Sequence, residues 1–328
     1  MKIKIGLLGV GHLGTIHLRL LKELSEVYEL VGIYDLDTAR AEAKAAEFGT
    51  VAFAEADALI KACDAVDIVT PTLSHYELAK AAMRQFKHVF IEKPVTHTVE
   101  EARKLMNLAR EADVKVQVGH VERYNPAFLA VRDMEMSPMF VECHRLAQWN
   151  PRGTDVPVVQ DLMIHDLDIV LKLINSTIKR ISASGVAVVS DSPDIANARI
   201  EFNNGAVANL TASRISLKNM RKMRLFQRNA YLSIDFLDKK TEIVNINDGK
   251  APMELGDEAI NFQAGDREKH LTFDHPPVEP VNAIKMELEE FAIAIRDNQP
   301  TQVTLEEAAA ALDAATQIMD KINNLCIV

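Results

Sequence analysis

Lys93 is the residue of this chain best placed to do chemistry. It belongs to the run His88-Val89-Phe90-Ile91-Glu92-Lys93-Pro94, which reads as a short buried strand stopping on a charged pair and a proline. Proline cannot donate to a sheet and holds the residue before it extended, so the chain must turn there. Ligands of open α/β folds bind at the carboxyl ends of the strands. An ammonium fixed at such an end can stand beside a ligand, and burial or a neighbour can tune it for proton work. The same residues also read as a surface Glu-Lys pair before a turn. The rest of the chain has to decide between the two.

A second constellation lies in Gln160-Asp161-Leu162-Met163-Ile164-His165-Asp166-Leu167-Asp168-Ile169-Val170, whose apolar positions recur at helical spacing as far as Leu173. Asp161 and His165 are four residues apart, so a helix carries them on one face. His165 stands beside three aspartates, and a carboxylate near an imidazole raises its pKa and fixes its orientation, as suits a general base. The alternative is a helix-surface histidine among solvated charges. A metal site would need a third ligand that the spacing does not place, so no metal is expected.

The elements that must position these groups begin at residue 3. Ile3 to Val10 is an almost wholly apolar strand, followed by Gly9-Val10-Gly11-His12-Leu13-Gly14 and a helical pattern from Thr15 to Leu24. Strand, glycines, then helix is the context of a dinucleotide turn. Its first glycine allows the tight turn, the second lets backbone approach a pyrophosphate, and the third lets the helix pack on the strand. The next strand, Tyr28 to Tyr34, ends on Asp35, twenty-one residues after Gly14. A carboxylate there accepts hydrogen bonds from ribose hydroxyls and repels a 2′-phosphate, which favours NAD over NADP; Leu36 and Asp37 add no cation, although Arg40 is a turn away. Asp35 also reads as an N-cap for a helix starting near Thr38.

Strands and helices continue to alternate to about residue 120. The reading has helices over Thr38–Glu47, Ala56–Ala62 and Val99–Ala112, and strands at Val51-Ala52-Phe53, Ala65–Thr70 and Val114–Val118. This specifies a parallel, doubly wound sheet. Thr70-Pro71-Thr72 is a polar strand end where a cofactor could lie, and His75 reads as a packing residue opening the next helix. Beyond Val121-Glu122-Arg123-Tyr124-Asn125-Pro126 the pattern changes, with a helix expected from Pro126 to Met134 and a strand over Met139–Gln148. Arg123 is either a holder of an anionic substrate group or an interdomain salt bridge. Trp149 to Gly153 reads as a loop. From Arg180 to Ile246 alternating segments separated by turns predict an antiparallel sheet, one of them Ala187-Val188-Val189. Asn247 to Pro280 reads as an irregular loop or edge. Amphipathic helices follow over Val281–Arg296 and Thr304–Ile322, the latter opened by a Thr304/Glu307 capping box.

Length and composition bound the function. With 328 residues, two domains are expected, 1–121 and 122–328, with the C-terminal helices able to pack back on the first. Net charge is −10 without a basic block, which argues against nucleic acid or an anionic membrane surface as partner. No run approaches the roughly 20 apolar residues of a membrane span. Lys2 and Lys4 precede an apolar run, but glycines, Arg19 and Lys22 break it, so no signal peptide is expected and the location is read as cytoplasmic. Cys63, Cys143 and Cys326 lack metal-ligand spacing and read as reduced, mostly buried thiols.

Taken together, the dinucleotide turn, Thr70-Pro71 with His75, Glu92-Lys93-Pro94, Asp161 with His165, and Asp297-Asn298-Gln299-Pro300 resemble the Gfo/Idh/MocA family of nicotinamide-dependent oxidoreductases over essentially the whole chain. The resemblance implies a Rossmann domain followed by an α/β domain with a large, mostly antiparallel open sheet that joins copies into a homodimer or homotetramer. It implies cofactor contacts from Gly9, Gly11, His12, Leu13, Gly14, Asp35, Thr70, Pro71, His75, Glu92 and Lys93. It implies Lys93 beside the nicotinamide and the reacting hydroxyl, His165 as acid/base, and Asp161 holding substrate. The stretch Val118 to Pro126 looks most like nucleotide-sugar 3-dehydrogenases, which oxidise UDP-N-acetylglucosamine-type substrates, with Arg123, Tyr124 and Asn125 as substrate contacts. Inositol or aldose dehydrogenases are the alternative within the family, and a non-catalytic dinucleotide sensor the alternative outside enzymes. Pro157-Val158-Val159-Gln160 stands where many relatives have a glycine-rich run, a departure that bears on how substrate is oriented.

Overall fold

The computed structural model describes residues 2–150, 156–252 and 259–325. The chain divides into two compact units. The first comprises Met1–Val121 and Asn282–Asp313, the second Glu122–Val281 and Ala314–Val328.

In the first unit β1 (Ile3–Leu8), α1 (His12–Glu23), β2 (Tyr28–Tyr34), α2 (Thr38–Phe48), α3 (Ala56–Ala62), β3 (Ala65–Ile68), α4 (His75–Arg84), β4 (His88–Glu92), α5 (Val99–Ala112) and β5 (Val116–Gly119) follow in turn. All five strands pair parallel, in the order β2-β1-β3-β4-β5. The chain leaves β1 toward β2 on one side and returns to β3 on the other, so the strand order reverses at β1. Such a reversal opens a crevice at the carboxyl ends of the strands. The apolar run of β1 is explained by burial on both faces, with Ile5, Leu7 and Leu8 fully inaccessible. Val51-Ala52-Phe53 contributes only one bridge, Ile33 to Ala52, rather than a strand.

The second unit opens with α6 (Pro126–Leu129) and β6 (Phe140–Leu146), followed by a π-helical turn over Val159–Met163 and α7 (Ile164–Leu173). Then come β7 (Ile178–Val186), β8 (Ile195–Phe202), β9 (Val207–Ser213), β10 (Met220–Gln227), β11 (Ala230–Asp235), β12 (Lys240–Asp248), β13 (Ala259–Ala264) and β14 (Arg267–Asp274). They form one nine-stranded sheet, β13-β14-β12-β11-β10-β6-β9-β8-β7, antiparallel except where β6 pairs with β9. Alternation along β8 and β9 buries Ala198, Ile200, Ala208 and Leu210 in a core shared with Leu167, Val170 and Ile318.

Several sequence expectations need correction here. Ala187-Val188-Val189 lies past the end of β7, in a loop tied by three backbone N–H groups: those of Val188, Val189 and Ser190 all donate to Asp194 Oδ2. Asn247 to Pro280, read as an irregular loop or edge, is an edge, but a regular one: it holds the β13–β14 hairpin, whose outer strand is almost wholly exposed. The helix expected from Pro126 to Met134 stops at Leu129, and Val131, Arg132 and Met134 then donate to carbonyls three residues back, as in tight turns. Residues 151–153 of the predicted Trp149–Gly153 loop, and Cys326, lie outside the described residues. Cys63 and Cys143 are buried free thiols.

Two helices close the chain, α8 (Ala283–Arg296) and α9 (Leu305–Leu325). The α8 helix covers the parallel sheet: Leu288, Phe291 and Ala292 join the core of Ile5, Leu7 and Phe90, and the Tyr28 hydroxyl donates to Leu288 O at 2.7 Å. Thr304 and Glu307 make the expected reciprocal capping box at the start of α9. Among the described residues no helix is long and apolar enough to cross a membrane.

Candidate active site

The carboxyl ends of β1, β2, β3 and β4 surround a cavity of about 610 Å³. Nine of the residues assigned to the cofactor line it: Gly9, Gly11, His12, Leu13, Asp35, Thr70, Pro71, Glu92 and Lys93. Two others support it from behind. A Cβ on Gly14 would lie 2.0 Å from Gly9 O, so only glycine lets α1 start this close to the strand. Gly9 itself has φ +94°, a conformation that side chains resist. Beside Gly11 there is open space. The helix begins at His12, earlier than its apolar pattern suggested, so His12, Leu13 and Gly14 form a first turn whose N–H groups have no intrahelical acceptor. That is where a pyrophosphate is held.

His75 does not line the cavity. It is buried, with Nδ1 2.9 Å from Pro94 O and Nε2 2.8 Å from Thr70 O, so it ties the Thr70-Pro71 end of the cavity to the turn after Lys93. Burial pushes its pKa down.

Asp35 is fixed at the end of β2. Its Oδ2 accepts from Val10 N–H at 2.9 Å and its Oδ1 from Asp37 N–H at 2.9 Å. It does not cap the following helix. That role belongs to Asp37, whose side chain accepts from Arg40 N–H. Arg40, also on the cavity wall, has its guanidinium 2.9 Å from Asp37 and 3.4 Å from Asp35. Lys93 is half-buried on the opposite side, with Glu92 Oε2 accepting its backbone N–H at 3.2 Å.

In the second unit the three aspartates near His165 divide. Asp166 receives Arg145, whose Nη2 lies 2.7 Å from Oδ1, and Arg145 Nη1 also reaches Glu122 at 2.7 Å. Asp168 receives a two-pronged donation from Arg123, Nε at 2.7 Å and Nη2 at 2.6 Å. All five of these side chains are buried. The α7 helix is thus pinned by two arginines, leaving Asp161 and His165 half-buried at its π-helical start. The π turn also means that the four-residue spacing is not that of a regular helix.

Arg123 is buried and paired. Its Nε and Nη2 donate to Asp168, within the same unit. Asn125 caps α6 through Ala127 N–H and donates to Glu122 and Phe236 O, and Tyr124 is buried. These contacts tie Arg123 to α7 and Asn125 to the start of α6. No group of three or more potential metal ligands occurs among the described residues.

Sequence reasoning missed a buried polar cluster behind the cavity: His17 on α1, Asp67 on β3 and Glu287 on α8. Glu287 left one signal, an acidic residue on an otherwise apolar face of its helix. His17 and Asp67 left none.

Comparison with known proteins agrees with this geometry. Residues 3–120 match the family described as "Oxidoreductase family, NAD-binding Rossmann fold", and residues 139–232 match the GFO/IDH/MocA C-terminal domain. The UDP-N-acetylglucosamine 3-dehydrogenase of Acidithiobacillus ferrooxidans is 37% identical over 319 residues, which cover 96% of each chain. A solved structure of that enzyme superposes with a TM-score of 0.87 at 34% identity, covering 99% of both chains. The scyllo-inositol 2-dehydrogenase (NAD(+)) of Bacillus subtilis is 30% identical over 235 residues, 66% of this chain and 68% of that one. A scyllo-inositol dehydrogenase from Lactobacillus casei, solved with NAD(H) and scyllo-inositol, shares the fold with a TM-score of 0.79 at 18% identity, covering 99% of this chain and 98% of that one. With its glycine turn, its strand-end aspartate and its Glu-Lys-Pro wall on one cavity, the chain belongs to the Gfo/Idh/MocA family of NAD-binding oxidoreductases.

Proposed function

We propose that the protein oxidises the C3 hydroxyl of a UDP-N-acetylglucosamine-type nucleotide sugar with NAD as acceptor. The observation that carries this is Lys93, a half-buried ammonium on the wall of the cavity that also presents the dinucleotide turn and Asp35. The whole-length likeness to the Acidithiobacillus enzyme supports the substrate class. When bound, the nicotinamide ring supplies a hydride acceptor. The C3–H bond breaks with its electron pair leaving as hydride, the hydroxyl proton passes to His165 or Lys93, and a ketone remains. Lys93 stabilises the alkoxide as its charge develops, and Asp161 holds the sugar. Following reduced-nicotinamide absorbance with UDP-sugars, inositols and aldoses tests the substrate class: UDP-N-acetylglucosamine should be turned over with NAD. Efficient oxidation of free inositol or glucose with UDP-N-acetylglucosamine ignored would overturn it.

NAD is proposed as the preferred cofactor, because the Asp35 carboxylate is held rigidly where a 2′-phosphate would come. Asp35→Ser is expected to narrow the NAD-over-NADP gap by about 1–3 kcal/mol, read by titration calorimetry with both cofactors. A wild-type preference for NADPH would contradict this.

We also propose that copies assemble through the nine-stranded sheet. Phe226, Ile260, Phe262 and Phe273 are exposed on its strands. Light scattering at about micromolar concentration should give a dimer or tetramer, and the mass of a single chain would exclude it.

A further inference from the structure

Behind the cavity of the first unit, four ionisable side chains from four elements meet out of water. His17 (α1), Asp67 (β3) and Glu287 (α8) are wholly inaccessible, and Glu92 (β4) is 7% exposed. His17 Nδ1 lies 2.9 Å from Asp67 Oδ2, and its Nε2 lies 3.3 Å from Glu92 Oε1, a charge contact rather than an aligned hydrogen bond. The other oxygen of Glu92, Oε2, accepts the backbone N–H of Lys93. On the far side of Glu92 is Gly119 of β5, where a Cβ would come within 2.6 Å of Oε1. The carboxylate is therefore gripped from one side by an imidazole and given room on the other by the absence of a side chain.

The electrostatics of the cluster are consistent with its geometry. Burial alone would lower the pKa of His17, but Asp67 and then Glu92 outweigh it and hold the imidazole well above its ordinary range. Burial, with Glu92 and Asp67 nearby, pushes the Glu287 carboxyl up, and neither of its oxygens has a hydrogen-bond partner among the described residues. Tyr28 of β2, also buried near Asp67, is likewise pushed up. The group that faces Glu92 from α1 is His17. Two carboxylates at its two nitrogens fix both its charge and its ring plane.

We propose that His17 is a positioning residue for the oxidation: held by Asp67, it sets its Nε2 against Glu92, which in turn holds the backbone of Lys93 and sets where the ammonium stands. This rests on the assignment of Lys93 to the chemistry.

The test uses the full-length enzyme with His17→Gln, Glu92→Gln, the double variant and Gly119→Ala. His17→Gln is expected to lower kcat by about 10- to 100-fold, the cost of a small misplacement, while the Kd for NAD stays within about threefold. The double variant should be no slower than the slower single one, because both act through one contact. If His17→Gln fails to fold, Gly119→Ala displaces the same carboxylate without removing a charge and should give the same split between kcat and Kd. An unchanged kcat in the folded variants, or losses that multiply in the double variant, would overturn the role of His17. Lys93→Met separates the two assignments. If that variant still turns over, the Lys93 reading fails and this one with it; if it is inactive while His17→Gln and Gly119→Ala are not impaired, only the His17 role falls.

Discussion

Lys93→Met should abolish turnover, lowering kcat by about a thousandfold or more, while NAD affinity stays within about tenfold. The asymmetry follows from where charge appears. In the ground state the substrate hydroxyl is neutral and the cofactor is held by the glycine turn and Asp35, on other parts of the cavity wall. The ammonium becomes important only as the alkoxide forms, so its removal costs rate rather than binding. Methionine keeps the length and apolar stem, which separates charge from packing. Calorimetry for NAD and steady-state kinetics read the two quantities apart. Loss of NAD binding with little change in rate would show that Lys93 serves the cofactor instead. His165→Ala should also be severely impaired in rate.

The largest effect on stability is expected at Arg145, because its replacement strands two carboxylates in the interior. Glu122 and Asp166 are both buried, and Arg145 supplies 2.7 Å contacts to each. Arg221 stands 3.7 Å from Glu122 but is half exposed, too remote to substitute. Removing one partner from such a buried set costs about 3–5 kcal/mol. Arg145→Met is therefore expected to lower unfolding free energy by that amount in urea denaturation. The deficit should depend on pH with a definite sign. Burial already pushes Asp166 upward even with Arg145 present, and without the arginine that shift grows. A carboxyl whose folded pKa is raised binds more protons folded than unfolded, so its stability is greatest at low pH and is lost as pH rises through the folded value. The deficit should thus be smaller at about pH 5 than at about pH 8. An equal deficit at both would mean that packing, not charge, dominates at this site.

What the sequence revealed and what it concealed follow from how local each signal is. The turn Gly9 to Gly14, Asp35 closing β2 and Glu92-Lys93 closing β4 were legible because each joins a strand end to chemistry within a few residues. The pairing of Arg123 was not, because its partner Asp168 lies 45 positions away. The same holds for His17, 50 positions from Asp67. The β13–β14 hairpin was hidden for another reason. Asn261, Gln263, Glu268 and Lys269 face little core, and a strand held mainly by its backbone ladder shows no alternation to read. The π turn before α7 is invisible to periodicity, since one extra residue in a turn shifts the pattern by less than the scatter of apolar positions.

The central claim is that a hydride leaves C3 of a UDP-N-acetylglucosamine-type sugar for NAD in this protein. It is tested most directly with UDP-N-acetylglucosamine deuterated at C3, incubated with the wild-type enzyme and NAD, followed by mass spectrometry of the reduced cofactor. Deuterium in the reduced nicotinamide, with a slowed rate relative to the protiated sugar and no transfer by Lys93→Met, is the predicted result. Reduced cofactor that forms without deuterium, or no reduction at all while another polyol is oxidised, would contradict it.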